Sequence, residues 1–283
     1  MKENQVAGKD RSMKELQLPS SFHLMNACQD LYQGDILYPF AVDEVLCRKI
    51  GEGSVPPLVH IWRHQKAFVL GLRDRKLPNA EDAMAWLEAQ GYQVSVRNSG
   101  GAAVPLAPGV LNLSLILPNP QGVMEFHQDF ETMFQIIRRA LAGITAISKG
   151  EIKGSYCPGD FDLSIDGRKF CGIAQRRQTK AFVVQAFIVV TGDGTQMADL
   201  VRQFYQVATG GQQKGAFPAV EPDQMASLEQ LVGLETLDQF MQPLMDLFSA
   251  AGGVVVDSSF LHPFEEEIRD AIPMLRSRYE RRG

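Results

Sequence analysis

The stretch from Arg97 to Pro118, RNSGGAAVPLAPGVLNLSLILP, constrains this chain more than any other. It follows a short alternating run, Tyr92, Val94 and Val96, with the period of a strand leaving a core. Ser99, Gly100 and Gly101 come next, and two adjacent glycines let a backbone turn sharply and let a ligand approach amide groups without a Cβ in the way. Val110, Leu111, Leu113, Leu115, Ile116 and Leu117 then form an apolar run broken by Asn112 and Ser114, the pattern of a buried strand with a few inward polar groups. A strand, a glycine corner and a second strand would make one wall of a slot, from Val104 to Leu117, for something thin and apolar. A plain hairpin with a glycine turn fits the same residues.

Around this centre the chain alternates helical and strand patterns. Phe22 to Ala41 is ambiguous, with a Gly34-Asp35 turn and a stop at Pro39. Phe40, Val42, Val45, Leu46 and Ile50 recur at helical spacing. Leu58–Trp62 and Ala67–Leu72 read as two strands around the polar turn 63–66, and Asn79 is a good N-cap for a helix that Gly91 ends. Met124 to Gly143 has the stripe of a packed amphipathic helix. Asp166-Gly167 is a hairpin signal, and Ala181–Thr191 is a continuous apolar strand. From Met197 onward the chain reads as helices (197–207, 222–232, 237–251 and 263–282), with the polar segment 209–215 as a mobile surface loop. The expectation is an α+β fold with mixed β-sheets flanked by helices. It has a polar N-terminal extension over 1–20 and one domain over 21–283, whose part from about 195 on is helical.

Composition removes several classes of function. A net charge of −5 does not suit a nucleic-acid binder, whose affinity comes mainly from neutralising phosphates. No apolar run approaches the ~20 residues of a membrane span, and the first residues lack the apolar core of a signal peptide. The 4 cysteines are unevenly spaced with no CxxC pair, so they predict neither a disulfide framework nor a zinc site, and a cytoplasmic setting follows. His60 and His64 are four apart, a ligand spacing only on a helix, whereas this segment reads as strand and turn.

Cys157 stands in a loop, Ser-Tyr-Cys-Pro-Gly-Asp, where Pro158 and Gly159 fix a turn and keep it out of a strand. A thiol shown at a turn is a reasonable nucleophile, because thiolate formation needs access and positive potential. Cys171 is its rival, sharing a strand face with Lys169, but Phe170 and Gly172 beside it look like packing, and Cys157 is favoured. By position alone Lys169 is a solvated lysine beside a hairpin turn, and Asp162 caps a turn or holds Lys169. Arg276, Arg278, Arg281 and Arg282 read as a solvated helix end or, with Arg176, Arg177 and Lys180, as a docking surface for an acidic partner.

Two blocks carry a family resemblance. The Arg97 stretch is similar to the signature of the lipoate–protein ligase and octanoyltransferase family, an Arg-Arg-x-Ser-Gly-Gly-Gly run followed by Val, a His, Gly, and Asn-x-Ser. Asn98 stands where the second Arg is usual, Ala102 replaces the third Gly, and Leu106 occupies the His position. The block DLSIDGRKFCGIAQRR, from Asp162 to Arg177, resembles the family's second motif and puts Lys169 on its lysine. The resemblance spans roughly residues 40–200. It implies the biotin/lipoate protein-ligase type of catalytic domain, with a helix near Phe40 against the substrate site. Arg97, Ser99, Gly100, Gly101, Asn112, Asp162 and Gly172 would bind substrate, and Cys157 and Lys169 would be catalytic.

Within that family, ligases activate free lipoate or octanoate with ATP, and transferases pass an octanoyl group through a cysteine thioester. The Gly154–Arg177 block, Asn98 and Leu106 look most like the transferase branch that uses the glycine cleavage H protein. That branch takes the group from an octanoylated lysine of the H protein and gives it to the lipoyl domains of E2 subunits of 2-oxoacid dehydrogenases. The implied chemistry needs no cofactor or metal. Lys169 would hydrogen-bond the acyl carbonyl and supply a proton to the leaving amine. An octanoyl-acyl carrier protein donor, an ATP-dependent ligase, and a silent relative that only binds acylated lipoyl domains are the alternatives.

Overall fold

The strands expected at the centre pair with one another. In the computed structural model, which describes residues 16–122, 126–212 and 217–279, β6 (Val110–Pro118) and β10 (Ala181–Val189) run antiparallel along their whole length. β2 (Leu58–Trp62) flanks β6, and β9 (Arg168–Arg177) flanks β10. The register lines up Trp62, Asn112, Phe187 and Gly172 in one cross-strand row, and His60, Ser114, Gln185 and Ala174 in the next. Because side chains alternate along a strand, both rows face the same way and form one floor. β1 (Phe22–Asn26), β7 (Ser148–Lys149), β8 (Leu163–Ile165) and β11 (Gly253–Val256) complete an eight-stranded mixed sheet, in the order β11, β1, β2, β6, β10, β9, β8, β7. The hairpin between β8 and β9 forms as expected, with Asp166 and Gly167 at φ +50° and +78°, the left-handed pair of a two-residue turn.

A second sheet faces this floor, with β3 (Ala67–Leu70) between β4 (Gln93–Val96) and β5 (Val104–Leu106). Two expectations are corrected here. The strands on either side of residues 63–66 are not neighbours, for β2 joins the large sheet and β3 the small one. His64 bends the chain between them: its Nδ1 accepts from the Lys66 amide at 3.0 Å, so its Nε2 donates to the Gly34 carbonyl at 3.0 Å. The wall expected from Val104 to Leu117 is likewise split, Val104–Leu106 on the small sheet and Val110–Pro118 on the large one, so the two halves oppose each other across a gap.

Helices close the layers. α1 (Leu37–Gly51) packs on the floor with α7 (Glu265–Tyr279), joined by Val45, Leu46, Ile268 and Leu275 in one apolar cluster. Pro39 does not stop α1; it lies in the first turn, where a missing N–H leaves no bond unmade. α2 (Ala80–Ala89) starts at Asn79 as expected, but the Asn79 amide turns to the Val207 carbonyl rather than capping. α3 (Phe126–Ala140), α4 (Gly194–Ala208), α5 (Leu228–Val232) and α6 (Leu237–Ala250) follow, α4 capped by Asp193. The part from Met197 onward is therefore not all helix. It returns β11 to the sheet edge, parallel to β1, as four residues too short to show a period. Leu16 is fully buried in the main core, so the chain is held earlier than Pro19. Residues 1–15, Met124 at the start of the expected helix, positions 213–215 of the expected loop, and Arg281 and Arg282 lie outside the described residues.

Candidate active site

Cys157 is held in a backbone conformation that L-residues avoid, at φ +48°, in the loop before β8. Neighbours on both sides fix it there. Tyr156 is fully buried with its ring stacked 5.6 Å from Phe187. On the other flank the sulfur meets the glycine corner: the Ala102 amide donates to Sγ at 3.1 Å and the Arg97 guanidinium at 3.3 Å. Arg97 Nη2 also donates to the Ala102 carbonyl at 2.7 Å, so one side chain both shapes the corner and faces the sulfur. An amide and a guanidinium on one sulfur are the partners that a thiolate takes, because charge-assisted hydrogen bonds are stronger than neutral ones. Gly101, at φ +100°, lets the corner come this close: a Cβ there would lie 2.7 Å from the sulfur.

Lys169 lies behind the loop. It is fully buried, and its ammonium donates to the carbonyls of Tyr156 at 2.9 Å and Cys157 at 2.7 Å and to Asp162 Oδ1 at 2.8 Å. All of its protons are thereby used, and neither Lys169 nor Asp162 lines the cavity beside the sulfur. Asp162 thus holds Lys169, one of the two readings its position allowed, and neither side chain faces the cavity where a proton donor or a substrate contact was expected. Both side chains bind the backbone of the loop that carries Cys157. Asp162 also accepts from the Ile152 amide, and burial outweighs the lysine's attraction in pushing its carboxyl up.

Cys157 stands where two spaces meet. On one side a slot enters between the sheets, lined by Arg97, Ser99, Asn112, Gly172, Phe187 and, at the β2 end, Trp62 with Phe40. Its empty volume is about 450 Å³, and it is so narrow that little of it would admit a water. Ser99 Oγ, Asn112 Nδ2, Trp62 Nε1 and Arg97 Nε are buried there without a partner among the described residues, so polar groups are left facing a mostly apolar slot. On the other side of the sulfur a wider cleft opens outward, with Asn98, Gly100, Gly101, His127, Phe130 and Phe161 among its walls. The slot thus gathers Arg97, Ser99, Asn112 and Gly172, and the cleft gathers Gly100 and Gly101.

Several residues around the site had no motif to announce them. Gln185, the one polar residue in AFVVQAFIVV, lines the slot and donates to buried Asp43, which also accepts from Ser114 Oγ at 2.6 Å and faces His60 Nδ1 at 2.8 Å. A single polar residue inside an apolar strand was the available signal. Glu44 pairs with Arg176 and Asn98, and Asp129 with Arg177, so both arginines are engaged within the fold, as is Arg276 with Asp35. The other cysteines are poor nucleophiles. Burial pushes Cys28 and Cys47 up to about 12 and Cys171 well above its ordinary value.

Two facing sheets, a narrow slot and a motif-bearing corner define the class, and the chain belongs to it: residues 35–249 match the family model for the lipoyl protein ligase A/B catalytic domain. Within the family it is similar to the octanoyl-[GcvH]:protein N-octanoyltransferase of Geobacillus kaustophilus, 42% identical over 228 residues, 80% of this chain and 81% of the relative. It is also similar to the lipoyl-[GcvH]:protein N-lipoyltransferase of Listeria monocytogenes, 43% identical over 70% of this chain and 72% of the relative. Among solved structures, lipoate-protein ligase A bound with ATP shares the fold at a TM-score of 0.65 and 19% identity, covering 88% of this chain and 93% of that one. A bi-partite lipoate protein ligase from Thermoplasma acidophilum does so at 0.60 and 19%, covering 88% and 91%.

Proposed function

We propose that this chain is an acyltransferase that moves an octanoyl group from a lysine of the glycine cleavage H protein to a lysine of a lipoyl domain, the acceptor being an E2 subunit of a 2-oxoacid dehydrogenase. The relatives' names support the H protein as donor. The observation that carries the route is the Cys157 sulfur, set between Arg97 and the Ala102 amide at the mouth of a narrow slot. In the first half-reaction the Cys157 thiolate attacks the amide carbonyl carbon of the octanoyl-lysine. The C–N bond breaks, the amine leaves with a proton taken on the open cleft side, and a thioester remains on Cys157. The acceptor lysine, as the free amine, then attacks the thioester; the C–S bond breaks, the thiolate returns to its two donors, and the surplus proton leaves through the cleft. The acyl tail lies in the slot, where each buried methylene stabilises by about 0.8 kcal/mol. Short acyl groups are therefore rejected by lost burial. The setting is the cytoplasm, and among the described residues no helix is long and apolar enough to cross a membrane.

Incubation with octanoylated H protein, without ATP, should give an octanoyl adduct seen by mass spectrometry. Cys157→Ala should abolish it and Cys171→Ala should keep it. A requirement for ATP and free octanoate would sink this reading in favour of a ligase, and an adduct formed only from octanoyl-acyl carrier protein would replace the donor.

A further inference from the structure

The corner that faces the sulfur has a fastening of its own. Asp74, 2% exposed, stands in the turn after β3. Its Oδ2 accepts from the Gly71 amide at 2.8 Å and its Oδ1 from the Tyr205 hydroxyl, on α4, at 2.8 Å. The Tyr205 oxygen in turn accepts from the Ala103 amide at 3.4 Å, and that amide also acts on the Asp74 carboxylate. Ala103 directly follows Ala102, the residue whose amide meets Cys157 Sγ. Gly71 is packed so closely on Gly101 that a Cβ at residue 71 would overlap the Gly101 carbonyl. The Arg97 charge also acts on Asp74, and the Arg97 amide bonds the Leu70 carbonyl at 3.0 Å. One buried carboxylate therefore ties the end of β3, the Ala102-Ala103 segment and a helix across the strand crossing under the nucleophile. A buried carboxyl costs stability unless its bonds are used, and here burial pushes it up despite four attracting groups. Among the described residues Asp74 forms no ion pair, so its partners are the amides and the hydroxyl around it.

We infer that Asp74 is a positioning residue for the acyl-transfer reaction: with Tyr205 it holds the Ala102 amide and Arg97 in line with the Cys157 sulfur. The inference rests on Cys157 as the acyl carrier. Asp74 touches neither the slot nor the open cleft, so its loss should lower the rate of sulfur chemistry and leave carrier binding alone.

The test is alkylation of the full chain by iodoacetamide, followed site by site by mass spectrometry across pH, beside transfer kinetics with octanoylated H protein. In Asp74→Asn, alkylation at Cys157 and kcat should each fall by at least about tenfold, with KM for the donor unchanged. Tyr205→Phe should lower both in the same direction by less, and the two substitutions together should cost no more than Asp74→Asn alone. The buried Cys28, Cys47 and Cys171 report on folding, since an unfolded variant would alkylate at all of them. Cys157 reactivity within about twofold of the parent in Asp74→Asn, or in Tyr205→Phe if the former does not fold, overturns the inference. Because alkylation needs no acyl donor, this failure is distinct from a failure of the thioester route, which would appear as a missing adduct in the parent protein.

Discussion

At residue 101 the absence of one carbon decides how close a corner can come to a sulfur. Gly101 is in the left-handed region at φ +100°, and a methyl there would sit 2.7 Å from Cys157 Sγ and press on the Arg97 guanidinium. Gly101→Ala should thus separate the sulfur from its two donors, and a displacement of about 1 Å at a reacting group can cost about 10²-fold in rate. The stability cost is smaller, about 1 kcal/mol for a side chain forced to positive φ. The check is the rate of adduct formation against the urea midpoint. Adduct formation at the parent's rate would show that the contact does not matter to the chemistry. Neither this closeness nor Asp74 was legible in the chain. The Gly-Gly pair announced a corner, but the residue it serves is 56 positions away and the fastening carboxylate belongs to a plain GLRDRK turn. Pairs brought together by sheet crossing leave no local period.

At the scale of elements, the β8–β9 hairpin carries the clamp on the Cys157 loop. Lys169 and Asp162 form a buried pair on one side of it, and removing a single partner strands the other charge. Lys169→Met should destabilise the protein by about 3–5 kcal/mol, and Lys169→Met with Asp162→Asn should recover much of that in urea unfolding without recovering transfer. A single variant as stable as its parent would remove the clamp from the account. The hairpin itself was readable, because Asp-Gly between alternating runs has few other solutions. The apolar β10 and the amphipathic α3 were equally plain. The partner of each strand was not: β2 and β3 have the same apolar look, and only the bend at His64 sends them to different sheets. β11, four residues of Gly and Val between helices, carries too little pattern to be told from a turn.

For the molecule as a whole, the fold class followed from the alternation of patterns, and the outline of the site from two motifs. Arg97, Ser99, Asn112 and Gly172 line the slot, while Lys169 and Asp162 are turned to the loop behind the sulfur. Of the slot's far wall, the helix at Phe40 was expected from the resemblance, whereas Trp62, on a strand outside both motifs, had no local signal. One feature of this architecture reaches into kinetics. Among the described residues the sulfur has a narrow slot on one side and a wider, more open cleft on the other. On the proposed thioester route, donor and acceptor use that cleft in turn. Double-reciprocal plots at several acceptor concentrations should be parallel, and stripped H protein should compete with the lipoyl domain for the loaded enzyme; intersecting lines would mean that both carriers find room at once. Such a turnstile lets cargo pass between two proteins that never meet, and its direction is set by their relative abundance.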